Sequence, residues 1–482
     1  MLLRALVTVV LASLAACAVG PAVQLAPSAL AAALAELRTC ADLAGSRIGV
    51  HVVDLADGVE LAALDADRGF ATASNLKCIS AFVGLTTLGA DATLATELWR
   101  HGAIEAGVLH GDVVLRGGGD PSFGLGRPAS ETWAPFVAAL QQSGVRRIAG
   151  QVRVDDGWLG DEHLGLGWQW DYLDEDYAAP FGALCLDGNV VRLRCRAMAG
   201  RVVVDVSQPG YEVATTEVRI DDVAAPRLFA TRALASERIV LRGSVAANGR
   251  PTTAVVTVPD PSRNAARSLT AALLASGIEI AGSEAASATQ PVRVHTSHSP
   301  PLRDLVVPLL RDSDNLHAEQ FLRLAARKDL GDGGTSAAER HAKAVLAAAG
   351  VDPIGMVLAD GSGLSRRNLV EPRQLTGVLR AARASAVWEP FWRALPVAGR
   401  TGTLRQRFTA GAATGRVRAK TGFISRVVCL SGFVPRRDEA APPVVFSVML
   451  NDFTCDDAAA KRAVDAFVQR LVAAVDAEPI RR

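Results

Sequence analysis

Lysine is nearly absent from this chain. Only 5 of its 482 residues are lysine, although lysine and arginine together number 51, so arginine supplies the other 46. That scarcity makes each lysine informative, because an ammonium can shed its proton when desolvated whereas a guanidinium cannot. Other shortages exclude whole classes of function. A formal net charge of +1 lacks the basic balance of a nucleic-acid binder. None of the 7 cysteines forms a Cys-x-x-Cys pair, which argues against zinc, and neither metal nor cofactor is expected. Beyond the N-terminus no run is long and apolar enough to span a bilayer, and there is no fixed-period repeat. Aromatic residues are 5% against 49% hydrophobic, a globular balance rich in Ala, Val and Leu, and the length suggests about three domains.

The N-terminus reads as an export signal over residues 1–17. Arg4 supplies the positive start, and an apolar stretch over 5–16 ends in small residues. Leu14-Ala15-Ala16-Cys17 resembles a bacterial lipobox, with Cys17 lipidated and the chain anchored to an outer membrane. Ordinary cleavage near Ala16 or Ala18 is the alternative. Both readings place the mature chain in the periplasm or cell envelope, with a membrane partner only through that lipid. Six further cysteines, Cys40, Cys78, Cys185, Cys195, Cys429 and Cys455, suggest at least one disulfide in an exported protein, its pairing left open.

Residues 18–27 read as a tether and 28–39 as a helix. Alternating runs at 47–55 and 59–64, joined by Asp57-Gly58, read as a hairpin, and Ser74 opens a helix reaching about Gly89. From 91 to 292 short strand-like runs (108–116, 148–154, 202–206, 239–245, 253–258) are broken by Gly, Pro and Asp, with helices at 133–143 and 265–276. After 300 the pattern turns helical, at 302–311, 315–328 and 336–349. Three strand-like runs at 417–424, 427–434 and 444–450 precede a closing helix at 456–475. The expected fold is α/β: a five-stranded antiparallel sheet with helices on both sides, built from 28–90 plus 293–482. The 91–292 insertion is expected to be β-rich and to hold two nested domains.

Two lysines sit in short motifs. Ser74 and Lys77 are three apart, so on a helix they share one face, near an N-terminus that favours developing negative charge. A serine hydroxyl becomes a nucleophile beside a base. Lys77 is a base only when neutral, which requires roughly 4–5 kcal/mol of differential destabilisation of its ammonium. Burial plus a second cation, Lys420, would supply it. On a surface helix the same pair would be two unrelated solvated residues. Ser313-Asp314-Asn315 is either a helix N-cap or a second hydroxyl relaying a proton, with Asn315 bonding a substrate amide, and the two are compatible. Lys420-Thr421-Gly422 falls on a strand, where charge and hydroxyl could hold a terminal carboxylate and Gly422 leaves room for a peptide. The backbone N–H groups of Phe423 and Ser74 would then form an oxyanion hole. The alternative is a Thr-Gly turn on a surface hairpin.

With these motifs in this order, the chain resembles the class C low-molecular-mass penicillin-binding proteins, the D-alanyl-D-alanine carboxypeptidase/endopeptidase family. The resemblance covers about 33–475. It includes Arg116-Gly-Gly-Gly-Asp120-Pro121-Ser122-Phe123, Gly167-Trp168-Gln169-Trp170-Asp171, Tyr177-Ala178-Ala179-Pro180 and Asp360-Gly361-Ser362-Gly363-Leu364-Ser365-Arg366. Leu395-Pro396-Val397-Ala398-Gly399 and Gly402-Thr403-Leu404 complete it. It implies a serine β-lactamase/transpeptidase-like domain carrying inserted domains. The implied activity is cleavage of D-Ala-D-Ala peptides and cross-links in peptidoglycan through an acyl-enzyme, with β-lactams as acylating inhibitors and stem peptides as partners. It implies Ser74 as nucleophile, Lys77 as base, Ser313 and Asn315 in the proton relay, and Lys420 and Thr421 on the carboxylate. Arg366 is implied near a substrate carboxylate, and Asp171 near a stem-peptide amine. Asn75, Cys78 and the bulky Phe423 depart from the family pattern.

Three other readings stand beside this one. A β-lactamase would share the acylation step but need a carboxylate placed for deacylation. A wall-binding scaffold would show a damaged motif. A histidine triad would draw on His317, which reads as a solvated helix residue.

Overall fold

The structure, a computed structural model, describes residues 29–222, 225–282, 290–438 and 440–477. The expected export signal, the tether and Cys17 lie outside the described residues. Five strands form one antiparallel sheet in the order Arg418–Ile424, Val427–Val434, Val444–Asn451, Arg47–Asp54, Glu60–Leu64. The chain's two ends therefore meet in one sheet. Register is set by alternation, which sends successive side chains to opposite faces. Val427, Cys429 and Phe433 enter a core shared with the helices Lys77–Leu88, Asn315–Leu330 and Pro372–Arg383. Val428, Leu430 and Val434 enter the opposite core, shared with Ala29–Thr39 and Asp457–Ala477. Two of the three inner strands are buried along their whole length and Arg47–Asp54 from Ile48 onward, as a sheet covered on both faces requires.

The intervening region is β-rich. One six-stranded sheet contains the hairpin Ala95–Glu105 and Val108–Gly117, and the helices Ala129–Gln142 and Pro261–Ala275 share its core. Val292–His298 pairs with Ala95–Glu105, across the expected boundary between 292 and 293. Two three-stranded sheets share a second, separate core.

Two expectations are corrected. The helix expected over 302–311 ends at Val307, and Pro308–Asp312 forms a wider π turn. Pro308 has no N–H to donate back along a helix, so the ladder opens there. The turn releases Ser313 in the left-handed region (φ 67), with Asp314 N–H donating to Pro308 O at 3.0 Å. The expected disulfide is also absent: all six described cysteines are free thiols. Cys78, Cys185, Cys195 and Cys429 are buried on separate elements, where they pack as small apolar side chains.

Trp133 is fully buried, packs edge-on against Phe123 and Phe136, and donates its indole N–H to Ser268 Oγ at 2.9 Å. Trp133→Ala should destabilise the six-stranded unit by about 3–5 kcal/mol, read by urea denaturation. A loss below about 1 kcal/mol would mean that this aromatic cluster does not hold the sheet.

Candidate active site

Ser74 lies on the 3-10 turn Ala73–Leu76, which runs directly into the helix Lys77–Leu88. Ala73 adopts a left-handed φ of 43, a strained conformation for a residue with a side chain. The turn is clamped from two sides. A Cβ on Gly422 would stand 2.5 Å from Thr72 O and 3.1 Å from Asn75 N, so only glycine lets the edge strand lie against it. Asn75 points away from Ser74 and donates to Ser431 Oγ at 2.7 Å, tying the turn to the inner strands. This departure from the family pattern is therefore structural.

Lys77 has no exposed surface. Its Nζ has three oxygen neighbours: Ser74 Oγ at 2.9 Å, Asn315 Oδ1 at 2.5 Å and Ser362 O at 2.7 Å. An ammonium donates to all three. A neutral amine donates to the carbonyl oxygens of Asn315 and Ser362 and presents its lone pair to the Ser74 hydroxyl. Burial lowers the Lys77 pKa to about 8, against the opposing pull of the Asp360, Asp314 and Glu319 carboxylates. Lys420, the second cation expected to contribute, lies within reach of the Lys77 charge. Lys420 is pushed well down by burial and then by the charge of Lys77.

Lys420 is also fully buried and donates to Ser313 Oγ at 2.9 Å and Thr421 O at 2.8 Å. Asp314, not Ser313, caps the following helix by accepting the His317 N–H at 2.9 Å. The two readings of Ser313-Asp314-Asn315 thus divide between neighbouring residues. Burial would raise the Asp314 carboxyl, but the adjacent His317 ring and N–H outweigh it and hold it at about 2. Asn315 Nδ2 donates to Tyr177 O at 2.5 Å, so the group expected to face a substrate is occupied here. Thr421 Oγ1 donates to Thr403 Oγ1 at 2.8 Å.

Six residues of the three motifs, Ser74, Lys77, Ser313, Asn315, Lys420 and Thr421, are thereby brought together, with Gly422 beneath them. Ser74, Ser313 and Asn315 line a cavity of about 340 Å³ whose other walls include Tyr172, Tyr177 and Phe423. Phe423 is 43% exposed and lies under Lys461 Nζ, 3.7 Å from the ring centre. Arg366 reaches the rim by donating to Ser425 O, and Ser425 lines the same cavity. Asp171 is exposed on the turn Trp170–Tyr172, from which Tyr172 rather than Asp171 forms the wall. His317, expected to be solvated, is 1% exposed.

Sequence reading missed the buried support of Lys77. Both oxygens of Glu319 accept the Gly361 N–H at 3.0 Å, and Oε1 also accepts that of Ser362 at 2.9 Å. Asp360 accepts from Trp168 Nε1, Gly363 N, Ser365 N and Asn368 Nδ2 within 2.9 Å. Together they hold the peptide whose carbonyl meets Lys77. Burial and the Asp360 charge push Glu319 up to about 7. Their signal was present as the Asp360-Gly-Ser-Gly run and as Glu319 one turn into its helix. Among the described residues no group of three or more His, Cys, Asp or Glu is placed to hold a metal ion.

Residues 30–474 match the D-Ala-D-Ala carboxypeptidase 3 (S13) family. A D-alanyl-D-alanine carboxypeptidase of Actinomadura sp. (strain R39) is 33% identical over 459 residues, covering 89% of this chain and 84% of its own. D-alanyl-D-alanine carboxypeptidase DacB of Haemophilus influenzae is 26% identical over 88% of this chain and 89% of its own. The crystal structure of penicillin binding protein 4 (dacB) from Haemophilus influenzae superposes with a TM-score of 0.76 at 23% identity. It covers 91% of this chain and 98% of that one. A further structure of the same protein, complexed with a β-lactam, has a TM-score of 0.71 at 22% identity.

Gly363 has a φ of +83, and a Cβ there would fall 1.9 Å from Ala73 O. Gly363→Ala should cost about 1–3 kcal/mol from backbone conformation alone and more from the collision, read by thermal melting. A variant as stable as the wild type would show that this loop does not press on the Ser74 turn.

Proposed function

The chain belongs to the D-Ala-D-Ala carboxypeptidase 3 (S13) family of serine-type peptidases, and from that membership we propose that Ser74 is its acylated nucleophile and Lys77 the general base. The observation that carries this reading is the fully buried Lys77 amine, 2.9 Å from Ser74 Oγ, with its pKa brought down to about 8. The Ser74 proton passes to Lys77 Nζ while Oγ attacks the carbonyl carbon of the penultimate D-alanine. The resulting oxyanion faces the backbone N–H groups of Ser74 and Phe423. On collapse the C–N bond breaks and the leaving amine takes the proton that Lys77 holds, relayed through the Ser313 hydroxyl, which Lys420 orients, so Lys77 is neutral again. Water, deprotonated by Lys77, then releases the acyl group and restores Ser74.

Two buried lysines within reach of each other's charge make one proton more than the site holds easily. A terminal substrate carboxylate at Lys420 and Thr421 supplies the missing counter-charge. It favours the proton on Lys420 and leaves Lys77 neutral as the base. Arg366 at the rim would meet a second substrate carboxylate, whereas Asp171 would need substrate to reach outside the cavity. The same chemistry extends to D,D-endopeptidase cleavage of peptidoglycan cross-links and to covalent trapping by penicillin. Export through the 1–17 segment belongs to this reading, because its substrate is a cell-wall polymer. Intact mass of the native N-terminus separates lipidation at Cys17 from ordinary cleavage.

Ser74→Ala should abolish both D-alanine release and labelling by fluorescent penicillin, and stoichiometric labelling of that variant at another serine would falsify the assignment. The neutral fraction of a base falls tenfold per pH unit below its pKa. The acid limb of kcat/KM should therefore bend near pH 8, with a slope of about one below it. A limb near pH 10 would mean an undepressed lysine. Lys77→Arg keeps the charge but cannot be neutral at working pH, so acylation should fall by about three orders of magnitude or more in stopped-flow measurements. A rate within about tenfold of wild type would remove Lys77 from the base role.

A further inference from the structure

A second cavity, of about 240 Å³, lies on the far side of the Ser313-Asp314-Asn315 segment and shares Tyr177, Ser313 and Asn315 with the cavity that holds Ser74. Its remaining walls include Arg192, Asp176, Asp312 and His317. Arg192 is supplied by Val190–Met198, a strand of the inserted region. Its Nε donates to Asp187 Oδ2 at 3.2 Å, which aims the guanidinium. Asp187 heads a run of three left-handed residues, Asp187 (φ 50), Gly188 (φ 70) and Asn189 (φ 55). The Asp187 and Asn189 conformations cost free energy and persist where surrounding structure over-determines them. Here Asn189 is locked by Leu186 N at 2.9 Å and Pro180 O at 2.8 Å, and Asp187 also accepts the Gly126 N–H at 3.2 Å. Across the cavity, His317 is 1% exposed, with Nδ1 2.9 Å from Asp314 Oδ1 and no hydrogen-bond partner for Nε2 among the described residues.

D-alanine release gives this cavity no occupant. A leaving D-alanine is a single residue whose carboxylate is met at Lys420 and Thr421, and it ends beside Ser313. The cavity begins where that residue ends, and it carries one cation, Arg192, and three carboxylates, Asp176, Asp312 and Asp314, around a polar pocket. The geometry points to a leaving-strand subsite: the cavity binds the second stem peptide of a cross-link, with Arg192 pairing one of its carboxylates. This rests on the endopeptidase reading above. It gives the inserted region a direct part in substrate choice, since Arg192 and the strained turn that aims it both belong there. Arg192 touches no reacting atom.

Arg192→Gln removes the charge at a partly exposed position. On a cross-linked muropeptide dimer it should lower kcat/KM at least tenfold, mainly through KM. On a monomeric pentapeptide, and in penicillin acylation, it should stay within twofold of wild type. Arg192→Lys should recover part of the loss. Equal losses on dimer and pentapeptide, or no loss on either, would overturn the proposal. In parallel, binding of a free stem tetrapeptide to the penicillin-acylated protein is measured by calorimetry, with the Ser74 cavity filled. Binding that weakens at least tenfold in Arg192→Gln supports the subsite even if the wild type cleaves no dimer, an outcome that overturns the endopeptidase reading alone. Absence of binding to the acylated wild type overturns the subsite.

Discussion

Two lysines with no exposed surface, each within reach of the other's charge, are the constraint to which the surrounding structure answers. Removing an ammonium from water is costly unless its donors are satisfied. Lys77 finds three oxygens, on Ser74, Asn315 and Ser362, and Lys420 two, on Ser313 and Thr421. The satisfaction is deliberately incomplete in charge: the nearest oxygens of both lysines belong to hydroxyls, an amide and carbonyls, while the carboxylates of Glu319, Asp360 and Asp314 act on Lys77 at longer range. A carboxylate in direct contact would have fixed the proton on the amine. Neutral acceptors leave it able to move.

That arrangement depends on rigid support, because a carbonyl dipole counts only when it is aimed. Glu319 accepts from the backbone at 361 and 362, and Asp360 divides its capacity between the backbone N–H groups of Gly363 and Ser365 and the side chains of Trp168 and Asn368. Gly363 and Gly422 let the 361–365 stretch and the edge strand touch the Ser74 turn from either side. The strained residues Ala73 and Ser313 sit at the two serines. At these two places strain and support coincide beside the two serines.

Much of this was legible beforehand for physical reasons. The runs over 427–434 and 444–450 read as strands because both of their faces are buried, which makes them almost continuously apolar. Lysine scarcity isolated Lys77 and Lys420, the two lysines with no exposed surface. What was not legible depends on contacts distant in sequence. The π turn that presents Ser313 follows from Pro308, but its hand and exit angle come from packing. The irregular segment 157–178 carries Tyr177 and Trp168 to the site without any periodic pattern. Burial of His317 reflects a helix face that the insertion covers, and no local spacing reports that. The depression of Lys77 was expected from burial together with Lys420, and burial is its largest cause.

The central sheet also has a consequence in time. Strand Arg47–Asp54 pairs with Val444–Asn451, and the Ser74 turn lies against Gly422, so segments made first wait for segments made last. The inserted six-stranded sheet closes at His298 and can form while the rest is still being made. Contacts this remote in sequence slow folding, since a long loop must close before they are rewarded. Until then Ser74 is an ordinary serine with an ordinary solvated lysine beside it. Chemical reactivity is therefore the last property the chain acquires, and an interrupted or still-unfolded copy carries the motifs without the hazard.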